Sequence, residues 1–172
     1  GINSTVPNTA MSAQQACARL SIKAKEKVLL FFGNIARYKG LEYLVEALPA
    51  VLARVPEARL VIAGRPKGEE AYWAGIERRI ATLGLTSRVT RRIEYIPDDE
   101  TEIYFKAADL LVLPYTHVFQ SGVLFLGYNF GLPAVATDVG SLKEEIVEGE
   151  TGHVCAPADP SALAQAILRY FG

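Results

Sequence analysis

The residues able to do chemistry gather in three loops, each directly after a short apolar run. In the first, Gly33-Asn34-Ile35-Ala36-Arg37-Tyr38-Lys39-Gly40, one glycine ends a strand candidate, two cations follow, and a second glycine leads into a helix. Glycine lets a backbone approach a ligand closely, and Arg37 and Lys39 are residue types that would meet an anion there, a phosphate being the simplest guest. The same residues also read as a solvated turn with two surface cations, because the segment has neither the GxxxxGK[ST] nor the GxGxxG spacing. The second loop, Gly64-Arg65-Pro66-Lys67-Gly68, either adds charge to the same crevice or caps a turn, and the plainer reading is preferred. The third runs Pro114-Tyr115-Thr116-His117-Val118-Phe119-Gln120-Ser121-Gly122 into an apolar helix. Ser121 and Gly122 there offer a hydroxyl and open amides to a phosphate. Gln120 could bond a sugar hydroxyl, and His117 is a candidate substrate contact. Each has its ordinary alternative: a serine N-cap, a solvated glutamine, a loop histidine. Asp138 reads first as an Asx-turn carboxylate, and no nucleophile–base pair is visible.

These loops need a scaffold, and the chain supplies one. From Lys27 onward, apolar runs alternate with segments of helical period, the βαβ pattern of a parallel sheet covered by helices. The strand candidates are Val28–Phe32, Arg59–Ala63, Val89–Ile96, Leu110–Leu113, Ala134–Thr137 and His153–Cys155. Several are continuous apolar runs, as strands buried on both faces require. Leu41, Leu44, Val45, Leu48 and Leu52 fall on one helix face, with Pro49 expected to kink or break the helix and Pro56 to stop it. Helices are also expected over Glu69–Leu83, Asp99–Ala107 and Ser121–Phe130. Ser141-Leu142-Lys143-Glu144 has the capping-box spacing for a further helix, which Gly149 would close. Asp159-Pro160 opens the last helix, with Asp159 as its N-cap. In such a sheet a ligand lies off the carboxyl ends of the strands, where all three loops fall.

Composition removes several functions. With 50% hydrophobic residues and 18 Lys+Arg against 19 Asp+Glu, the 172-residue chain is an ordinary globular sequence without a broad basic face, which argues against nucleic acid as a partner. A chain of this size can bury roughly 70% of its unfolded surface in one core. Two cysteines and two histidines, with no CxxC, give no zinc-type ligand spacing. No apolar run reaches membrane-spanning length and no signal-peptide pattern opens the chain, so a cytoplasmic location is expected. Gly1 to Ala10 has linker composition, and Met11–Ile22 could form a helix. Residues 1–24 are therefore expected to be a linker or interdomain connection, with room for a short helix, in a piece of a longer protein, and residues 25–172 to be the folded unit.

Four motifs then occur in a telling order: Phe32 to Leu41; Ala107-Ala108-Asp109-Leu110 to Pro114-Tyr115; Gln120-Ser121-Gly122-Val123; and Gly131-Leu132-Pro133 to Gly140. In this order and spacing the chain, from about residue 25 to 170, resembles the C-terminal, donor-binding half of GT-B glycosyltransferases of the large group 1 family (family 4). The resemblance implies a Rossmann-like α/β/α domain with a roughly six-stranded parallel sheet that holds a nucleotide-diphosphate sugar. It implies retaining, metal-independent transfer with no cofactor, commonly in bacterial polysaccharide or glycolipid synthesis. The acceptor glycan or glycolipid would be bound by an N-terminal domain absent from this chain. Any peripheral membrane association would belong to the full-length protein, and the 172 residues alone would transfer nothing. By analogy Lys39 and Arg37 would neutralise the leaving diphosphate, with Gly33, Asn34 and Gly64 letting the backbone approach it. Ser121, Gly122 and Val123 would take the diphosphate or ribose, His117 and Gln120 would face the donor, and the loop at Tyr95, Ile96 and Pro97 would lie near the base. Where the wider family carries two glutamates eight positions apart, this sequence has Val118 and Leu126. A nucleotide-sugar-binding module without transfer, and a GT-B sugar-nucleotide epimerase, are the alternative readings.

Overall fold

In a computed structural model, which describes residues 6–118 and 121–172, six strands form one parallel sheet. They are β1 (Lys27–Phe32), β2 (Ala58–Ala63), β3 (Val89–Arg92), β4 (Leu110–Leu113), β5 (Ala134–Thr137) and β6 (Gly152–Cys155), in spatial order β3-β2-β1-β4-β5-β6. Register runs in step from Lys27 opposite Ala58 to Phe32 opposite Ala63, and Leu29 and Leu30 of β1 face Leu110 and Leu111 of β4. The winding reverses between β1 and β4, and loops leaving those two strands diverge to open a crevice at their carboxyl ends. At the opposite end Asp109 fastens the pair: Val28 N donates to its Oδ2 at 2.7 Å, and Asp109 N donates to the Val28 carbonyl at 2.9 Å.

Alternation along the strands divides the core between two faces. Leu29 and Phe31 of β1 join one cluster with α2 (Leu41–Arg54), α3 (Glu70–Thr82) and α7 (Pro160–Phe171). Val28 and Leu30 join the other, with α1 (Ala13–Arg19), α4 (Asp98–Ala107), α5 (Gly122–Asn129) and the single turn α6 (Leu142–Glu145). The layers are thus α/β/α, the Rossmann-like arrangement expected. Pro49 does not break α2, which runs on to Arg54; the proline lies on the exposed side. α1 packs on α4 and buries Ala16, Leu20 and Ile22 near its end.

Three local expectations are corrected. β3 stops at Arg92 rather than Ile96, because its partner β2 ends at Ala63 and Gly64 N takes the Arg92 carbonyl as the chain turns away. Ser141 makes no capping box: its backbone is already helical (φ −90°, ψ 0°), whereas a capping side chain needs an extended backbone to reach the N3 amide. The box forms instead at Ser12 and Gln15, each side chain accepting from the other's amide, at 3.1 and 2.8 Å. Gly149 does not close α6, which ends at Glu145; its amide donates to the Gly152 carbonyl in a turn before β6.

Candidate functional site

Two glycines shape the crevice floor. Gly33, at φ +113°, follows β1, and Gly64, at φ +149°, follows β2. A Cβ on Gly64 would sit 1.8 Å from the Gly33 carbonyl oxygen, so only glycine allows the two strand ends to close up. The Gly33 amide donates to the Ala63 carbonyl and the Ile35 amide to Arg65, both at 2.9 Å, which ties the first loop to the second. Across the switch point, Thr116 N donates to the Tyr38 carbonyl at 2.7 Å, joining the first loop to the third.

The cleft so formed, about 260 Å³, brings together Gly33, Asn34, Lys39, Gly64, Tyr95 and Ile96 from the sequence expectations, with Phe32, Ala63, Arg65 and Glu94 completing it. Val123 at the start of α5 reaches the same floor, its Cγ2 3.6 Å from where a Gly33 Cβ would stand. Gly122 opens α5, and Ser121 is its N-cap, with Oγ accepting from Leu124 N at 3.4 Å. The ordinary capping alternative for Ser121 is thus realised. His117 is exposed against the Tyr38 ring, 5.5 Å between centroids. Gln120 lies outside the described residues.

Lys39 is the unusual side chain. It is only 8% exposed, and its Nζ stands 2.8 Å from where a Cβ on Gly33 would be. Burial pulls its pKa down from 10.5 to about 8. Among the described residues it has no ion-pair partner; it lies beside the rings of Tyr115 and Tyr38, 5.8 and 6.0 Å from their centroids. Arg37 is not brought to the cleft. Its amide donates to Glu69 Oε2 at 2.7 Å, its Nε pairs with Glu69 Oε1 at 3.5 Å, and its guanidinium lies 5.1 Å from the Tyr72 ring centre. It lines a separate groove between α2 and α3.

Of the two readings of the second loop, the less preferred one is realised at Arg65, which lines the cleft, and Tyr115 was passed over. Arg65 lies over the exposed Tyr95 ring at 5.3 Å, roofing the cleft at β3. Tyr115 is buried beside Lys39, and its place two residues after a strand candidate, in the third loop, was the available signal. Of the two positions lacking the family's glutamates, Leu126 is buried in the core and Val118 is partly buried against it. Among the described residues no group of three His, Cys, Asp or Glu side chains is placed to hold a metal ion, and no helix is long and apolar enough to cross a membrane.

A buried cation facing a crevice at the carboxyl ends of β1, β2 and β3, near the N-terminus of α5, is suited to a phosphate group. Comparison with known proteins gives the family. Residues 26–172 match the family model of glycosyl transferases group 1, and the chain belongs to that family. It is 31% identical over 163 residues to D-inositol 3-phosphate glycosyltransferase of Corynebacterium diphtheriae, an alignment covering 94% of this chain and 38% of the relative. The chain therefore spans about two fifths of the length of such relatives. Among solved structures, sucrose-phosphate synthase from Thermosynechococcus elongatus superposes with a TM-score of 0.80 at 28% identity, covering 96% of this chain and 42% of that one. Anabaena HepE in complex with UDP-glucose superposes with a TM-score of 0.86 at 22% identity, covering 97% and 44%. The fold is that of GT-B glycosyltransferases.

Proposed function

We propose that the chain binds the nucleotide-diphosphate sugar of a glycosyltransferase, with the diphosphate against Lys39 and the start of α5 and the base toward Tyr95 and Ile96. The observation that carries this reading is the buried Lys39 ammonium at the cleft floor, which has no ion-pair partner among the described residues. A desolvated cation without a counterion is unfavourable, and an anionic ligand removes the penalty. As the bond to the sugar breaks, negative charge grows on the leaving diphosphate. The Lys39 ammonium and the α5 N-terminus oppose that charge in place, without a metal ion. Transfer with retention, to an acceptor glycan or glycolipid held outside these 172 residues, completes the reading. The UDP-glucose bound by HepE makes UDP the first nucleotide to test.

Calorimetric titration of the chain with UDP, GDP and ADP tests the reading. Binding of one nucleotide, lost in Lys39→Ala, is the expected result; a folded chain that binds none of the three refutes it. A second reading, a nucleotide-sugar-binding module without transfer, is favoured by Val118 and Leu126, neither of which can bond a sugar hydroxyl through its side chain. A turnover assay on a full-length enzyme containing this chain separates the two.

A further inference from the structure

The geometry points to Tyr115 as a positioning residue, whose ring holds the Lys39 ammonium at the cleft floor and whose hydroxyl faces the cap of α5. It rests on the donor-site reading for its purpose, and on the following contacts for its substance. Tyr115 is 3% exposed. Its main chain is fixed from β5, where the Thr137 hydroxyl donates to the Tyr115 carbonyl at 2.6 Å. Its ring meets Tyr38 edge to face, with centroids 6.0 Å apart at 77°. The Lys39 Nζ lies 5.8 Å from the Tyr115 centroid, within cation–π reach. Its hydroxyl faces the Ser121 side chain, whose Oγ accepts from Leu124 N. One side chain thus touches both anion-facing features of the cleft.

The physical logic lies in the kind of partner. A carboxylate beside Lys39 would hold the ammonium firmly but also cancel its charge. An aromatic face attracts the ammonium through its quadrupole and leaves the full positive charge for the ligand. Among the described residues the groups near Lys39 include Tyr38, the backbone at Gly33, and the charged Arg65 and Glu94 that line the same cleft, and it has no ion pair with Glu94. Tyr38 is a third exposed, so Tyr115 is the buried ring on which the placement depends.

The test follows the Lys39 side chain itself, by NMR titration of its Cε resonance in the 172-residue chain, alongside calorimetric titration with UDP, GDP and ADP. Three changes at position 115 are compared: Tyr115→Phe, Tyr115→Leu, and 3,4,5-trifluorophenylalanine, which keeps the ring's shape while weakening its negative face. Tyr115→Phe should leave the Lys39 midpoint in place and shift the amide resonances of Ser121 to Leu124. Tyr115→Leu and the fluorinated ring should both move the midpoint to lower pH. They should also weaken binding of the preferred nucleotide by roughly five- to tenfold in the wild-type background, and not in a Lys39→Ala background. If Tyr115→Leu does not fold, the fluorinated ring carries the test, because its volume is nearly unchanged. A Lys39 midpoint unmoved by the fluorinated ring overturns the proposal. A midpoint that moves in a chain binding none of the three nucleotides supports the positioning contact and refutes the donor-site reading instead.

Discussion

Lys39 is under two opposed demands, and each has a measurable consequence. Its pKa is lowered from 10.5 to about 8 by burial, so below pH 8 the folded state carries a desolvated charge that the unfolded chain does not. Between pH 8 and 10.5 the unfolded state binds more protons, and stability rises with pH across that window; the penalty present at pH 7 is roughly 3 kcal/mol. Lys39→Met should therefore stabilise the chain at pH 7 by up to about 3 kcal/mol, with the gain fading toward pH 10.5, as read from urea unfolding of both proteins at the two pH values. Ligand binding has the opposite demand. A diphosphate favours the ammonium, so affinity should fall as pH rises through about 8. Near pH 8 binding should take up a proton, seen as a buffer-dependent heat in calorimetry. Arg37 shows why a cation's sequence position does not settle its role. It sits two residues from Lys39 in the same loop, yet the Glu69 carboxylate and the Tyr72 ring draw it to the opposite side.

At the scale of elements, the junctions matter more than the elements they join. Gly64→Ala would drive a methyl into the Gly33 carbonyl, 1.8 Å away, at a φ of +149°. Backbone faces backbone there, so neither side can give, and a loss of roughly 3 kcal/mol or more is expected. Gly68→Ala is the control: its φ is +78° but nothing lies within 4 Å, so only the left-handed strain of about 1–2 kcal/mol should appear. Thermal unfolding of the two variants separates clash from strain. Ser121→Ala removes the α5 cap and should cost about 1 kcal/mol. The caps also mark how far local reading reaches. Asp159 caps α7 as its Asp-Pro start indicates, with Oδ1 accepting from Ala162 N at 3.0 Å. Ser141 has an equally good pattern and fails, because the turn at Val139-Gly140 delivers it in a helical rather than an extended backbone. A pattern of side chains names a cap only when the chain arrives with the right dihedrals.

For the whole molecule, the segment before β1 is part of the packing. Leu20 and Ile22 are 5% and 6% exposed, Ala16 is fully buried, and α1 lies along α4. Thr9 adds a tether, its amide and hydroxyl both donating to the Glu102 carboxylate at 2.9 Å. Two buried aliphatic side chains contribute roughly 3–5 kcal/mol. Deleting residues 1–24 should therefore lower the melting temperature by about 10 °C, measured by circular dichroism; an unchanged melting point would make the segment a passive connection. The sequence by itself determined the layers and the location of the cleft. Continuous apolar runs alternating with helical periods admit little besides a parallel sheet between two helical layers, and the glycine-bearing loops after those runs must fall at its carboxyl edge. The ordered motifs carried the family as well. Only the tertiary structure decided which of the first loop's two cations faces the cleft, because that depends on Glu69, 32 residues away, capturing Arg37, while Lys39 is left among aromatic rings. It also decided which neighbours Tyr115 and Arg65 meet, Lys39 for the one and Tyr95 for the other, since a linear sequence carries side-chain types but not the distances between them.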